Sequence, residues 1–159
     1  MDFQNMLPEL EEKKLWMDYF NYSGSKVVPA GDSATIELGV SASHDFECLT
    51  ITGTYTTDEI AGDDGVCKLA ATLVDNGSNT ILWKNPVNLA LILSPGRVRS
   101  SGIAGDPSNQ LFWPQTMEHL FEATSLILVE IFNSGDKDNT VFMNFEGNKH
   151  YLNKLNPNK

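Results

Sequence analysis

Two cysteines, Cys48 and Cys67, are all that this chain of 159 residues contains. That is too few for the disulfide framework of a small secreted domain. Each sits in an alternating apolar stretch, and free cysteine is among the most buried residue types, so both read as buried strand thiols. Positive charge is scarce as well: 11 Lys plus Arg stand against 21 Asp plus Glu, a formal charge of −10. Duplex binding needs Lys and Arg gathered on one face to displace counterions. Only Arg97 and Arg99 come close to clustering, so nucleic acid is not an expected partner. No run of about 18 apolar residues exists, so no membrane-spanning helix is expected. The opening residues, Met1-Asp2-Phe3-Gln4-Asn5, lack the basic region and apolar stretch of a secretory leader, and the expected place of assembly is a cytoplasm.

Catalytic signatures are missing too. The chain has no Gly-x-Ser-x-Gly, phosphate loop, Cys-x-x-Cys or His-Glu-x-x-His. Its three histidines are His44, His119 and His150. Glu118, His119 and Glu122 could gather metal ligands, but on a strand 118 and 119 point to opposite faces. His44-Asp45 resembles half a catalytic pair, yet neighbours along a strand rarely form a working dyad, and no nucleophile is placed by spacing. The acidic runs Asp58, Glu59, Asp63, Asp64 and Asp136, Asp138 do not match a twelve-residue calcium loop and read as solvated turns. No catalytic residue, metal or cofactor is expected, and the chain is not expected to be an enzyme.

What is present is globular. Hydrophobic residues make up 41% and charged ones 20%. A single domain of this length buries roughly 70% of its unfolded surface. Residues 1–25 read as an N-terminal helical arm. Pro8 suits a first helical turn, Glu9, Glu11 and Glu12 suit the positive end of the dipole, and Glu9–Lys13 is an i, i+4 pair. The spacing predicts a helix over 8–20 that buries Leu15, Trp16, Tyr19 and Phe20, either on its own domain or on a neighbouring subunit.

From residue 26 to 152 the texture is β. Ile36, Leu38 and Val40 alternate. Segments 46–57, 66–74 and 80–83 read as strands, with the Asn76-Gly77 signal of a hairpin turn between the last two. A further apolar strand is expected over 87–93, and the Gly-, Pro- and Ser-rich stretch 94–110 reads as a long loop. Leu126–Phe132 is apolar on both faces, which predicts a central strand covered on both sides, and Val141, Met143 and Phe145 alternate. Residues 153–159 read as a loose tail. These strands and the long connection predict an antiparallel β-sandwich of jelly-roll type.

The second half carries Asn85-Pro86-Val87-Asn88-Leu89, then Leu93-Ser94-Pro95-Gly96, then Leu111-Phe112-Trp113-Pro114. It continues as Ala123-Thr124-Ser125-Leu126-Ile127-Leu128-Val129-Glu130-Ile131-Phe132-Asn133 and closes with Phe142-Met143-Asn144-Phe145-Glu146-Gly147-Asn148-Lys149-His150-Tyr151. The first half adds Phe46–Tyr55. Over roughly residues 30–151 this pattern resembles the small virion structural proteins of tailed bacteriophages. The N-terminal segment and Gln115–His119 depart from it.

The resemblance implies a non-enzymatic particle component located in the virion: a decoration or cement protein, or a vertex or collar subunit. Its expected partners are the major capsid protein or other virion subunits, together with copies of itself, a trimer being favoured on symmetry grounds. Trp16, Tyr19 and Phe20 are expected interface anchors. Arg97 and Arg99 are expected to meet a partner, and Trp113 is the aromatic most suited to an exposed contact. The alternative expectation is a carbohydrate-binding β-sandwich module used in host-surface attachment.

Overall fold

The computed structural model describes residues 17–57, 67–95 and 115–151. Nine strands run through them: β1 (Met17–Val28), β2 (Ser33–Gly39), β3 (His44–Thr57), β4 (Leu69–Asp75), β5 (Thr80–Asn88), β6 (Ser94–Pro95), β7 (Gln115–Phe121), β8 (Leu126–Asn133) and β9 (Asn139–Tyr151). Strict alternation of side chains builds them. In β4 every second residue, Leu69, Ala71, Leu73 and Asp75, is buried, and in β9 Val141, Met143 and Phe145 are buried while Phe142 between them is exposed. A period of two puts one face of each strand inward.

The first sheet has the order β1-β9-β3. The second edge of β3 carries β7 against Phe46–Ile51 and the short parallel β6 against Thr54–Tyr55. The second sheet has the order β2-β8-β4-β5, all antiparallel. Together they form an all-β sandwich whose shared core includes Phe46, Ile51 and Phe145 from one sheet and Leu73, Ile127 and Ile131 from the other. Each such side chain contributes about 1.5–3 kcal/mol of apolar burial. The pairing of β3 with β9 and β7 shifts register between Cys48 and Thr50, a bulge. Gly147 lies opposite Cys48, and a Cβ there would fall on the Glu47 carbonyl oxygen, so only glycine fits.

The structure corrects several expectations. Residues 17–20 are strand and not helix, and the boundary expected at residue 25 falls inside β1, which pairs with β9 from Met17 to Val28. The helical reading used the spacing of Trp16, Tyr19 and Phe20. Tertiary pairing selects period two instead, with Phe20 and Tyr22 half-buried and Tyr19 and Asn21 exposed. Trp16 lies outside the described residues.

β8 is central but not covered on both sides. Its outward residues Leu126 and Glu130 are exposed, and Leu128 and Phe132 are half-buried. The strand expected over 87–93 ends at Asn88, whose side chain accepts from the Ala90 amide and caps a 3-10 turn at Leu89–Leu91. Pro86 is tolerated because β5 is an edge strand. Of the expected loop 94–110, Ser94–Pro95 is a short strand. Residues 96–114, including Arg97, Arg99 and Trp113, lie outside the described residues. Both cysteines are buried and free.

At one end of the second sheet the β2–β8 and β4–β8 ladders each run one step past the strands. The Val40 amide donates to the Ser125 carbonyl at 2.9 Å and the Asn76 amide to the Leu126 carbonyl at 3.0 Å. The link from β7 to β8 is a tight turn, closed by Ser125 N to Glu122 O at 3.0 Å, with Thr124 at φ 69°. A β-branched residue in that region is strained.

Candidate functional site

The outward face of the first sheet is built by the same alternation that buries its other side. Since Val141, Met143 and Phe145 point inward, Asn144, Glu146, Asn148 and His150 point outward, beside Tyr19 and Asn21 of β1 and Glu47 and Thr52 of β3. These side chains form a ladder across three strands. The Tyr19 hydroxyl donates to Glu146 Oε2 at 2.7 Å, and Asn21 Nδ2 donates to Asn144 Oδ1 at 2.7 Å. Asn144 Nδ2 donates to Glu146 Oε1 at 2.6 Å and to Thr52 Oγ1 at 3.2 Å. His150 and Asn148 reach Glu47 Oε2 at 2.9 and 3.4 Å.

Hydrogen bonds set the electrostatics of this face. The bond to Glu146 raises the Tyr19 phenol above its ordinary pKa, and bonds from His150 and Asn148 lower the Glu47 carboxyl below its own. Among the described residues on this face, carboxylates, amides and hydroxyls are present and Lys and Arg are not. It is an ordered, largely polar surface out of which Tyr19 stands at 68% exposure, with Phe142, Val27 and Leu120 also exposed on it.

Two histidine centres lie elsewhere. His44 is 3% exposed, its Nε2 2.8 Å from the Tyr22 hydroxyl and its Nδ1 2.9 Å from Ser43 Oγ. Burial lowers its pKa, Lys149 adds to this and Asp45 opposes it, so the ring is neutral at pH 7. Asp45 points to the opposite face and accepts from the Ala123 amide at 2.8 Å. The adjacent pair is therefore not a dyad.

His119 of β7 crosses to the other sheet, its Nε2 2.9 Å from Asp75 Oδ2. Asp75 is fully buried. Burial raises its pKa, but hydrogen bonds from His119, Ser78 and the Gly77 and Ser78 amides outweigh that and hold it below the ordinary value. The Ser78 hydroxyl bonds Asp75 at 2.7 Å, so the order of a Ser-His-Asp relay is not met. Glu118 is exposed on the opposite side of β7, and Glu122 is exposed beyond its end. Among the described residues no group of three or more His, Cys, Asp and Glu could hold a metal. Burial pushes the Cys48 thiol up to about 12, far from a reactive thiolate.

No family model, characterised protein or solved structure matches this chain.

Of the residues expected at an interface, Tyr19 is exposed on the ladder. Phe20 is half-buried, 5.1 Å edge-on from Tyr22 with Lys149 Nζ 3.4 Å from its ring centre, so it packs within the chain. Glu146, Asn144 and Thr52 were not singled out in the sequence. Their signal is the alternation of Phe142, Asn144 and Glu146 with buried Met143 and Phe145. Asp75 and Ser78 were legible only as a turn.

Proposed function

We propose that this chain is a non-enzymatic jelly-roll virion protein of a tailed bacteriophage, a decoration, cement, vertex or collar subunit that works by binding the capsid or neighbouring subunits. The observation that carries the reading is strand order. β1 pairs with β9, β2 with β8, β3 with β7 and β4 with β5. This order supports a long antiparallel ribbon folded back at Asp75–Thr80, with successive strand pairs falling alternately in the two sheets. Rolled ribbons of this type recur in capsid proteins and lectins. Fold alone does not carry function, and the ordered outward face of the first sheet adds the contact surface. The segment ahead of β1 with Trp16, and Arg97, Arg99 and Trp113, complete the proposed contacts.

The test is cosedimentation of the purified chain with particles assembled from the capsid protein of the same genome. Binding at a fixed ratio to the shell is expected, weakened by Trp16→Ala or Tyr19→Ala, and weakened with a shallower salt dependence by Arg97→Ser with Arg99→Ser. No binding to particles would overturn the reading. A carbohydrate-binding module is the second reading, and the Tyr19 ring beside Glu146, Asn21 and Asn144 favours it. Binding on a glycan screen, lost in Tyr19→Ala or Trp113→Ala, would decide for it.

A further inference from the structure

Among the described residues β1 has an open side. Its 12 residues pair with β9 from end to end, and it is the edge strand of its sheet. The usual guards of such an edge are proline, a bulge or repeated charge. β1 has no proline, its register runs without a shift, and it carries only two charges, Asp18 and Lys26. These two, with Phe20, Tyr22 and Gly24, lie on one face of the strand, while Tyr19, Asn21, Ser23 and Ser25 lie exposed on the other. β2, the edge strand of the second sheet among the described residues, runs close beneath: a Cβ on Gly24 would lie 2.9 Å from Ile36 Cγ2 and 3.0 Å from Leu38 Cδ2. A groove of about 340 Å³ between the two edges is lined by Lys26 and Glu37 among others.

We propose that β1 pairs antiparallel with β1 of a second copy of this chain, on a two-fold axis at Tyr22. A closed two-fold requires like face to meet like face, which restricts the register to steps of two residues. The register centred on Tyr22 places Asp18 opposite the partner's Lys26 and Lys26 opposite the partner's Asp18. Phe20 then faces the partner's Gly24, which has no side chain of its own but lies under Ile36 and Leu38 of β2, and Asn21 faces the partner's Ser23. A step of two in either direction separates the opposite charges. The formal charge of −10 per chain opposes association. The charge pairs therefore choose the register, and backbone pairing along the strand provides the attraction. A two-fold contact differs from the three-fold assembly that symmetry alone favoured, and it stands independently of the virion reading.

The test is the solution mass of the full chain by sedimentation equilibrium across a concentration series. A monomer–dimer equilibrium is expected. Asp18→Lys, which sets like charges opposite each other twice, should weaken it about tenfold. The double variant Asp18→Lys with Lys26→Asp should restore it, although the exchange at position 26 sets a carboxylate across the groove from Glu37. Asp18 also accepts from the Tyr151 hydroxyl at 2.8 Å. Tyr151→Phe should therefore leave the dimer intact, which separates the contact between copies from the one within the chain. A parent that stays monomeric, a trimer, or a dimer indifferent to Asp18→Lys would overturn the proposal, as would a double variant no tighter than the single one. Asn21→Pro, with its strand content checked by circular dichroism, should abolish the dimer, and a folded Asn21→Pro dimer would overturn it too.

Discussion

Removing the Asp75 carboxylate tests whether the cross-sheet clamp stabilises the sandwich. Asp75 is fully buried and accepts four hydrogen bonds: Gly77 N at 2.9 Å, Ser78 N at 3.4 Å, Ser78 Oγ at 2.7 Å and His119 Nε2 at 2.9 Å. A bond to a charged group contributes roughly 1.5–3 kcal/mol. Not all of that is lost in Asp75→Ala. Gly77 and Ser78 are exposed, so water replaces their partner, and the 3.4 Å bond is weak. The His119 side chain is only 19% exposed, so its nitrogen and the vacated space carry the unrecovered cost. The expected destabilisation is about 2–4 kcal/mol in urea unfolding, with an unchanged m-value. Asp75→Asn keeps Oδ1 for the Gly77 amide and should lose about half as much. In a double-mutant cycle, Asp75→Ala with His119→Gln should show a coupling of about 1 kcal/mol or more. Asp75→Ala within about 0.5 kcal/mol of the parent, or zero coupling, would refute the clamp.

Gly147→Ala forces a Cβ onto the Glu47 carbonyl oxygen at the bulge, where backbone must shift, and should destabilise by about 3 kcal/mol or more by thermal unfolding. Thr124→Gly relieves the positive φ of the β7–β8 turn and should stabilise by up to about 1 kcal/mol in the same assay. His44 has a folded pKa below its unfolded value, so its contribution to stability is fully present above about pH 6.5 and is lost as pH falls toward the folded pKa. The carboxyls of Asp75 and Glu47, also lowered, lose theirs only below about pH 4. The urea midpoint should therefore drop between about pH 7 and 5 in the parent and less so in His44→Gln. A flat parent profile over that range would refute the burial effect on His44.

Much of the sandwich was legible because alternation is a local property. β2, β3, β4 and β9 appear in the sequence as inward Ile36, Phe46, Leu73 and Val141 spaced by twos, β8 appears as the apolar run Leu126–Phe132, and the Asn76-Gly77 turn marks the hairpin. β1 was misread because Tyr19 and Phe20 fit a helical stripe as well as a strand, and only pairing with β9 decides between them. The both-sided burial expected of β8 failed for a related reason: apolar content shows that a strand is central, but only its neighbours show which face they cover.

The sequence by itself determined the all-β character, the two buried free thiols and the absence of common catalytic signatures, since these follow from composition and short-range pattern. Tertiary structure decided everything that joins distant residues. Asp75 meets His119 across 44 positions and Tyr19 meets Glu146 across 127. Neither pair leaves a trace in local spacing, because a period of two tells a side chain which face to take and not which strand will lie beside it. The open edge of β1, with Asp18 and Lys26 on one face, exists only once β9 has claimed the other side.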